Sequence, residues 1–278
     1  MAKKGEKDWA AIAAERMHRP ADRVRMPRFL VYSRNKKGKT TLAKSASPRT
    51  LIVDPESGTD EMKKSNPHVW PVYKWADMDE VYNFLRHVNV CPFKGCPQGE
   101  GHKFDWVSPD GLTKMNNMAL KYVMKIQEER SLERIPGLVQ QRDYGKSGEL
   151  MKEMLNNFHN LPHGIVFTAQ ERQMEAFDSE EDEDYEESAA WYVPDLPKAV
   201  KAASNAIVDV IGRLYVVKLD TDPPRKQRRL WLGESSMYDT GYRSDFVLPD
   251  YLPNPTIPKL VTLMRTGEIP KPAKKKKD

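Results

Sequence analysis

Two cysteines, Cys91 and Cys96, are all that the 278 residues contain, too few for a disulfide framework to hold a fold of this size. No apolar run approaches the roughly 20 residues that a membrane-spanning helix needs, and the first residues are too polar for a secretory signal. Such a chain is expected to be soluble and intracellular, with no membrane partner. Internal repeats are absent too, which argues against a solenoid. Also missing is a dominant charge: 45 Lys+Arg against 40 Asp+Glu leave a formal +5. That small excess conceals an asymmetry. Lys3, Lys4 and Lys7 open the chain and Lys271, Lys274, Lys275, Lys276 and Lys277 close it, while Glu175 to Glu187 is strongly acidic. With 39% hydrophobic residues the chain can bury one substantial core, so one α/β domain with tails is expected.

What the sequence does have is Phe29-Leu30-Val31-Tyr32-Ser33-Arg34-Asn35-Lys36-Lys37-Gly38-Lys39-Thr40-Thr41-Leu42: an apolar strand, a loop and the start of a helix. A loop of this kind turns backbone N–H groups inward around a triphosphate, and the following helix points its positive end at the same anion. Lys39 would reach the terminal phosphates and the Thr40 hydroxyl would hold Mg²⁺. The expected contact set for a nucleoside triphosphate is Ser33, Arg34, Asn35, Lys36, Lys37, Gly38, Lys39, Thr40 and Thr41. Ser33 stands where the pattern G-x-x-x-x-G-K-[ST] has its first glycine, and serine enters a left-handed backbone less readily. The competing reading is a Lys-rich turn ahead of an unrelated helix.

Short apolar runs alternating with helical patterns predict βα units and a mainly parallel sheet. Strands are expected at Arg28 to Tyr32, at Thr50 to Asp54, at Phe104 to Val107 with Asp110 beyond it, and at Gly164 to Ala169. Helices are expected over Ala76 to Val90, Leu112 to Arg130 and Lys146 to His159, with a short one at Trp9 to Met17. Two β-rich runs, Ala206 to Leu219 and Arg228 to Leu232, precede a proline-rich end. These spans divide the chain into an N-terminal appendage (1–27), a core (28–260) interrupted by an acidic mobile insertion (171–197), and a basic tail (261–278).

A triphosphatase must also place Mg²⁺ and an attacking water in line with the γ-phosphate, and the ends of parallel strands are where such groups converge. Asp54 and Glu56 follow the second strand, Asp110 the third and Gln170 the fourth. Each acid also has a plainer reading as a turn former or helix cap. In this order the residues resemble the RecA-like P-loop ATPase core, specifically the phage-encoded ATPases linked to single-strand annealing, the Sak group. The resemblance spans about Arg28 to Leu232 and implies an α/β fold with a mainly parallel central sheet flanked by helices and a β-rich C-terminal part. It implies ATP as the nucleotide and a DNA-stimulated, Mg-dependent ATPase. Glu56 would be its general base, Asp110 its Mg²⁺-associated aspartate, and Gln170 its γ-phosphate sensor. It further implies a homo-oligomer with ATP at protomer boundaries, to which Arg243 is the expected basic contributor and Arg228 and Arg229 the competitors.

The resemblance also implies single-stranded DNA as partner, in phage recombination or replication in the host cytoplasm, with a single-stranded-DNA-binding protein as a further partner. Arg134, Arg142 and Lys146, expected in an inter-helix loop, and Trp191, Lys198 and Lys201 beyond the acidic run are the candidate DNA contacts. The acidic run itself repels phosphate, and reads equally as a solvated insertion. His87, Cys91, Cys96 and His102 could surround Zn²⁺, although the spacing differs from familiar finger patterns; the alternative is a Gly/Pro loop with two reduced thiols. Two other classes of function stand beside the ATPase: a non-catalytic nucleotide-dependent scaffold, and a small-molecule or nucleotide kinase built on the same loop.

Overall fold

The computed structural model describes residues 8–17, 19, 25–60, 62–131, 133–174 and 191–270. In chain order its elements are α1 (Trp9–Arg16), β1 (Arg28–Ser33), α2 (Lys39–Lys44), β2 (Thr50–Asp54), β3 (His68–Pro71), α3 (Asp77–His87), β4 (Trp106–Pro109), α4 (Leu112–Arg130) and α5 (Gln141–His159). Then follow β5 (Gly164–Gln173), β6 (Tyr192–Pro194), α6 (Lys198–Ile207), β7 (Val210–Leu219), β8 (Arg225–Trp231), β9 (Gly241–Tyr242), β10 (Tyr251–Pro253) and α7 (Ile257–Thr266).

The sheet order is β10-β8-β7-β1-β5-β4-β2-β3, with β6 on β5 and β9 on β7. From β7 through β3 the pairings are parallel; the β7–β8–β10 end is antiparallel. This is the α/β, mainly parallel architecture expected of the chain. Successive side chains of a strand point to opposite faces, and β1 shows what that demands. Leu30 and Tyr32 enter one core with Met115 and Met151 of α4 and α5, while Phe29 and Val31 enter another with Leu42 of α2 and Leu260 of α7. Because both faces are covered, β1 is buried along its whole length, which is why it reads as a continuous apolar run instead of an alternating one.

Four features were not foreseen in these terms. β3 follows Asn66-Pro67, ends at Pro71 and is only four residues long, so it offered no run to recognise. α5 begins at Gln141, five residues before the expected Lys146, so Arg142 and Lys146 lie on a helix and not in a loop. The stretch 257–266 is a helix whose Ile257, Leu260 and Leu263 are fully buried; Pro258 sits in its first turn, where proline is tolerated, and the expected boundary at residue 260 therefore cuts through a core element. Finally, the two ends of the expected insertion, Glu171–Gln173 and Tyr192–Pro194, pair as antiparallel strands. The acidic residues 175–190 lie outside the described residues.

Arg134 also departs from expectation. Its side chain is 1% exposed and pairs with Asp143, which is 0% exposed and also accepts from the Gln140 backbone N–H at the start of α5. A guanidinium committed in this way is not available to DNA. Removing one partner of such a pair leaves an uncompensated buried charge, so Asp143→Asn should lower unfolding free energy by about 3–5 kcal/mol, measured as a reduced urea midpoint.

Candidate functional site

Strand β1 ends at Ser33, and the chain turns through residues 34–38 into α2. Two residues take left-handed backbone there, Lys36 (φ 60°) and Gly38 (φ 98°). Ser33 is not among the positive-φ residues; it remains in the strand, fully buried, so the pattern's missing first glycine costs the loop no strain. The Ser33 hydroxyl donates to the Arg34 carbonyl at 2.9 Å. The Lys39 ammonium folds back over the loop, donating to the Ser33 carbonyl at 3.1 Å and to Ser33 Oγ and the Arg34 carbonyl at 3.4 Å. Burial pulls the Lys39 pKa below the usual lysine value, opposed by the nearby carboxylates of Asp110, Glu56 and Glu171.

Opposite the loop, Asp110 extends β4 between β2 and β5: its N–H bonds the Val53 carbonyl at 2.9 Å and it bridges Thr168. Its carboxylate accepts from the Thr40 hydroxyl at 2.5 Å and from the Thr168 hydroxyl at 2.6 Å. Burial raises its pKa despite those two donors, as desolvation of a carboxylate must. A hydroxyl on the loop helix facing a carboxylate from another strand is an oxygen-donor pair of the kind Mg²⁺ takes, since that ion keeps most of its waters and uses one or two protein oxygens. Ser108, an unexpected polar residue inside β4, is fully buried and gives its hydroxyl to the Val166 carbonyl at 2.8 Å.

Glu56 belongs to the same place by a different route. Asp54, at the end of β2, accepts from the Glu56 N–H, the Thr59 N–H and the Thr59 hydroxyl at 2.9, 2.9 and 2.6 Å. Asp54 therefore shapes the turn, and Glu56 is the exposed acid left over. Its carboxylate lies over Gly111: a Cβ on that glycine would come within 3.4 Å of Glu56 Oε1, and Gly111 has φ 132°. That backbone conformation favours glycine. Gln170 is opposite Ser33 in the β1–β5 register, and its N–H donates at 3.0 Å to the Thr113 hydroxyl, which itself bonds the Asp195 carbonyl.

Of the expected basic residues, Arg243 is not brought to its own chain's loop. Its backbone N–H bonds Asp209, next to the start of β1, and its guanidinium donates to the Ala206 carbonyl. Arg228 is at the loop instead, its guanidinium carbon 3.0 Å from where a Gly38 Cβ would be. A pocket of about 630 Å³ beside it is bordered by Lys36, Lys37, Lys218, Lys226 and Arg228, with no carboxylate in its lining. Two further residues escaped sequence reasoning. Glu171, its side chain 2% exposed, pairs with Arg34 of the loop at 3.3 Å and with Arg213 of β7 at 2.6 Å. Arg213 in turn sits over the rings of Tyr192 and Tyr238 at 4.5 and 4.4 Å. The one available signal was the position of Glu171 directly after Gln170.

The other candidates are dispersed. Arg142 and Lys146 are exposed on α5, Lys146 donating to Gln127; Trp191 is half exposed; Lys198 is exposed at the start of α6, and Lys201 pairs with Asp239 at 3.3 Å. His87 ends α3 on the surface, away from Cys91, Cys96 and His102; the fourth member of that cluster is His68. His87 is near the cysteines in sequence but not in space, whereas β3 delivers His68 at the sheet edge. Among the described residues no helix is long and apolar enough to cross a membrane.

A family profile described as an AAA domain matches residues 25–244. No curated protein matches. Among solved structures, the chain is similar to a KaiC-like protein of the hyperthermophilic archaeon Pyrococcus horikoshii, with TM-score 0.39 and 10% identity over 78% of this chain and 82% of that one. It is also similar to the flagellar accessory protein FlaH of Methanocaldococcus jannaschii, with TM-score 0.34 and 10% identity over 74% and 78%.

Proposed function

Because this chain belongs to the AAA domain family, we propose that its core is a RecA-like P-loop ATPase that binds ATP with Mg²⁺ in the Ser33–Thr41 loop and hydrolyses it. The observation that carries the reading is the Thr40–Asp110 hydroxyl–carboxylate pair beside the caged Lys39 ammonium. When Mg²⁺ is bound, those two oxygens would hold it directly or through its waters and it would neutralise charge on the triphosphate. Lys39 exchanges the Ser33 and Arg34 carbonyls for phosphate oxygens. Glu56 takes the proton of the attacking water, and Gln170, one residue before the Arg34-bound Glu171, reports the γ-phosphate to the paired strands β5 and β6.

The partner we propose is single-stranded DNA, met by an oligomer in phage recombination or replication. Support comes from exposed Trp191 immediately before β6, an aromatic platform on which bases can stack, and from exposed Arg142, Lys146 and Lys198, which can neutralise backbone phosphates. ADP release from Mg·ATP, followed with and without a single-stranded oligonucleotide, tests both parts. Mg-dependent turnover that rises with DNA is expected. Tight nucleotide binding without turnover in either arm would replace the enzyme with a scaffold, and ADP formed only with a small acceptor would replace it with a kinase.

A further inference from the structure

We propose that His68, Cys91, Cys96 and His102 form a structural zinc site at the sheet edge, unconnected with the phosphate loop. The four side chains come from two places far apart in sequence, β3 and the segment between α3 and β4, yet one ligand atom from each lies within 4.8 Å of all the others. A tetrahedral ion with Zn–S of about 2.3 Å and Zn–N of about 2.0–2.1 Å places its ligands roughly 3.3–3.8 Å apart. The cluster therefore needs to contract by about an ångström at its widest, while His68 Nε2 and Cys96 Sγ are already 3.2 Å apart.

The orientation of His102 is the second observation. Its Nδ1–H donates to the Gly99 carbonyl at 2.9 Å, which leaves Nε2 as the lone-pair nitrogen, and that atom is buried with no hydrogen-bond partner. A backbone carbonyl on the far ring nitrogen is the usual support for a metal-bound imidazole, since it fixes both tautomer and ring plane. An orphaned, pre-aimed nitrogen beside two thiols and another imidazole is costly unless something occupies the centre. Two thiolates and two imidazoles are the donor set of tetrahedral zinc, not of the oxygen-seeking Mg²⁺.

The chain around the site is built as a knuckle. No helix or strand covers 88–105, a long gap for a compact domain unless something anchors it. Left-handed glycines at 95, 99 and 101 make its turns, and its two ends are closed by the Cys91 N–H bonding the His102 carbonyl at 2.9 Å. Both cysteines are free thiols. Zinc would fasten this segment to edge strand β3, holding Cys96 and Phe93 as one wall of a pocket of about 890 Å³ whose other wall includes Asp54 and Thr59.

The test uses the untagged full chain, expressed with zinc supplied and purified without chelators. Elemental analysis is expected to find one zinc per chain, unchanged in Lys39→Ala and in His87→Ala, and lost in Cys96→Ser and His68→Ala. Replacing zinc by Co²⁺ in the wild-type chain should give tetrahedral visible bands and thiolate charge-transfer absorption, and both thiols should resist alkylation until a chelator is added. These wild-type readouts do not depend on any variant folding. A folded wild-type chain without stoichiometric metal and without those cobalt bands would overturn the site, as would a Cys91–Cys96 disulfide, or retention of zinc when both cysteines are replaced.

Discussion

Lys39→Ala is expected to abolish ATP binding and turnover while leaving the fold in place. The ammonium is the only cation bonded to the Ser33 and Arg34 carbonyls among the described residues, and it faces three carboxylates, Asp110, Glu56 and Glu171. A triphosphate entering that field without Lys39 would meet Asp110 and Glu56 with no ammonium between, Glu171 being held by Arg34 and Arg213. Loss of one preorganised charge donor in such a site costs on the order of 10²–10³ in rate, and here the same group also offsets the electrostatic cost of binding. The fold should survive because alanine is the best helix former and Lys39 is the first residue of the short α2, outside both apolar cores. Calorimetry of Mg·ATP binding alongside circular dichroism checks both halves. Lys39→Arg should fare little better, since a planar fork cannot replace a compact ammonium that reaches three oxygens at once. Unchanged turnover in Lys39→Ala would remove the phosphate loop as the site.

How much of this was legible in sequence follows the range of the interactions. β1, β2 and α4 were readable because each is a long or continuous apolar signal, and the observed Leu112–Arg130 helix falls within the approximate bounds expected of it. The loop was readable because its geometry is local: the positive-φ residues Lys36 and Gly38 lie within a few positions of the lysine they present. Arg134 was not, because the same arginine in a loop or in a buried pair with Asp143 leaves an identical trace in the chain. The Glu171–Arg213 pair was hidden by a separation of 42 residues, and His68 by its separation of 23 positions from Cys91. α7 was concealed by its own proline at the first turn, where proline permits a helix instead of ending one.

Glu56→Gln is expected to separate binding from hydrolysis. Two acids converge near the loop, and their surroundings divide the work between them. Asp110 is buried and already accepts from the Thr40 and Thr168 hydroxyls, a setting that suits an oxygen donor for Mg²⁺. Glu56 is exposed, held over Gly111 by the turn that Asp54 organises, and has a free approach to solvent. Exposure leaves it able to accept a proton from a water, the property a general base requires. Glutamine keeps the size and the turn but cannot take that proton, so kcat should fall by roughly 10²–10⁴ while Mg·ATP affinity stays within a few-fold of wild type. Single-turnover quench measurements should then find ATP bound and intact, the opposite of the Lys39→Ala result, in which none is bound. Glu56→Asp should recover little, because one methylene fewer draws the carboxylate back from Gly111 by about an ångström, and a misplacement of that size costs about 10²-fold. Hydrolysis at the wild-type rate in Glu56→Gln would move the base elsewhere, and Glu171 could not take its place while its carboxylate is bonded to both Arg34 and Arg213.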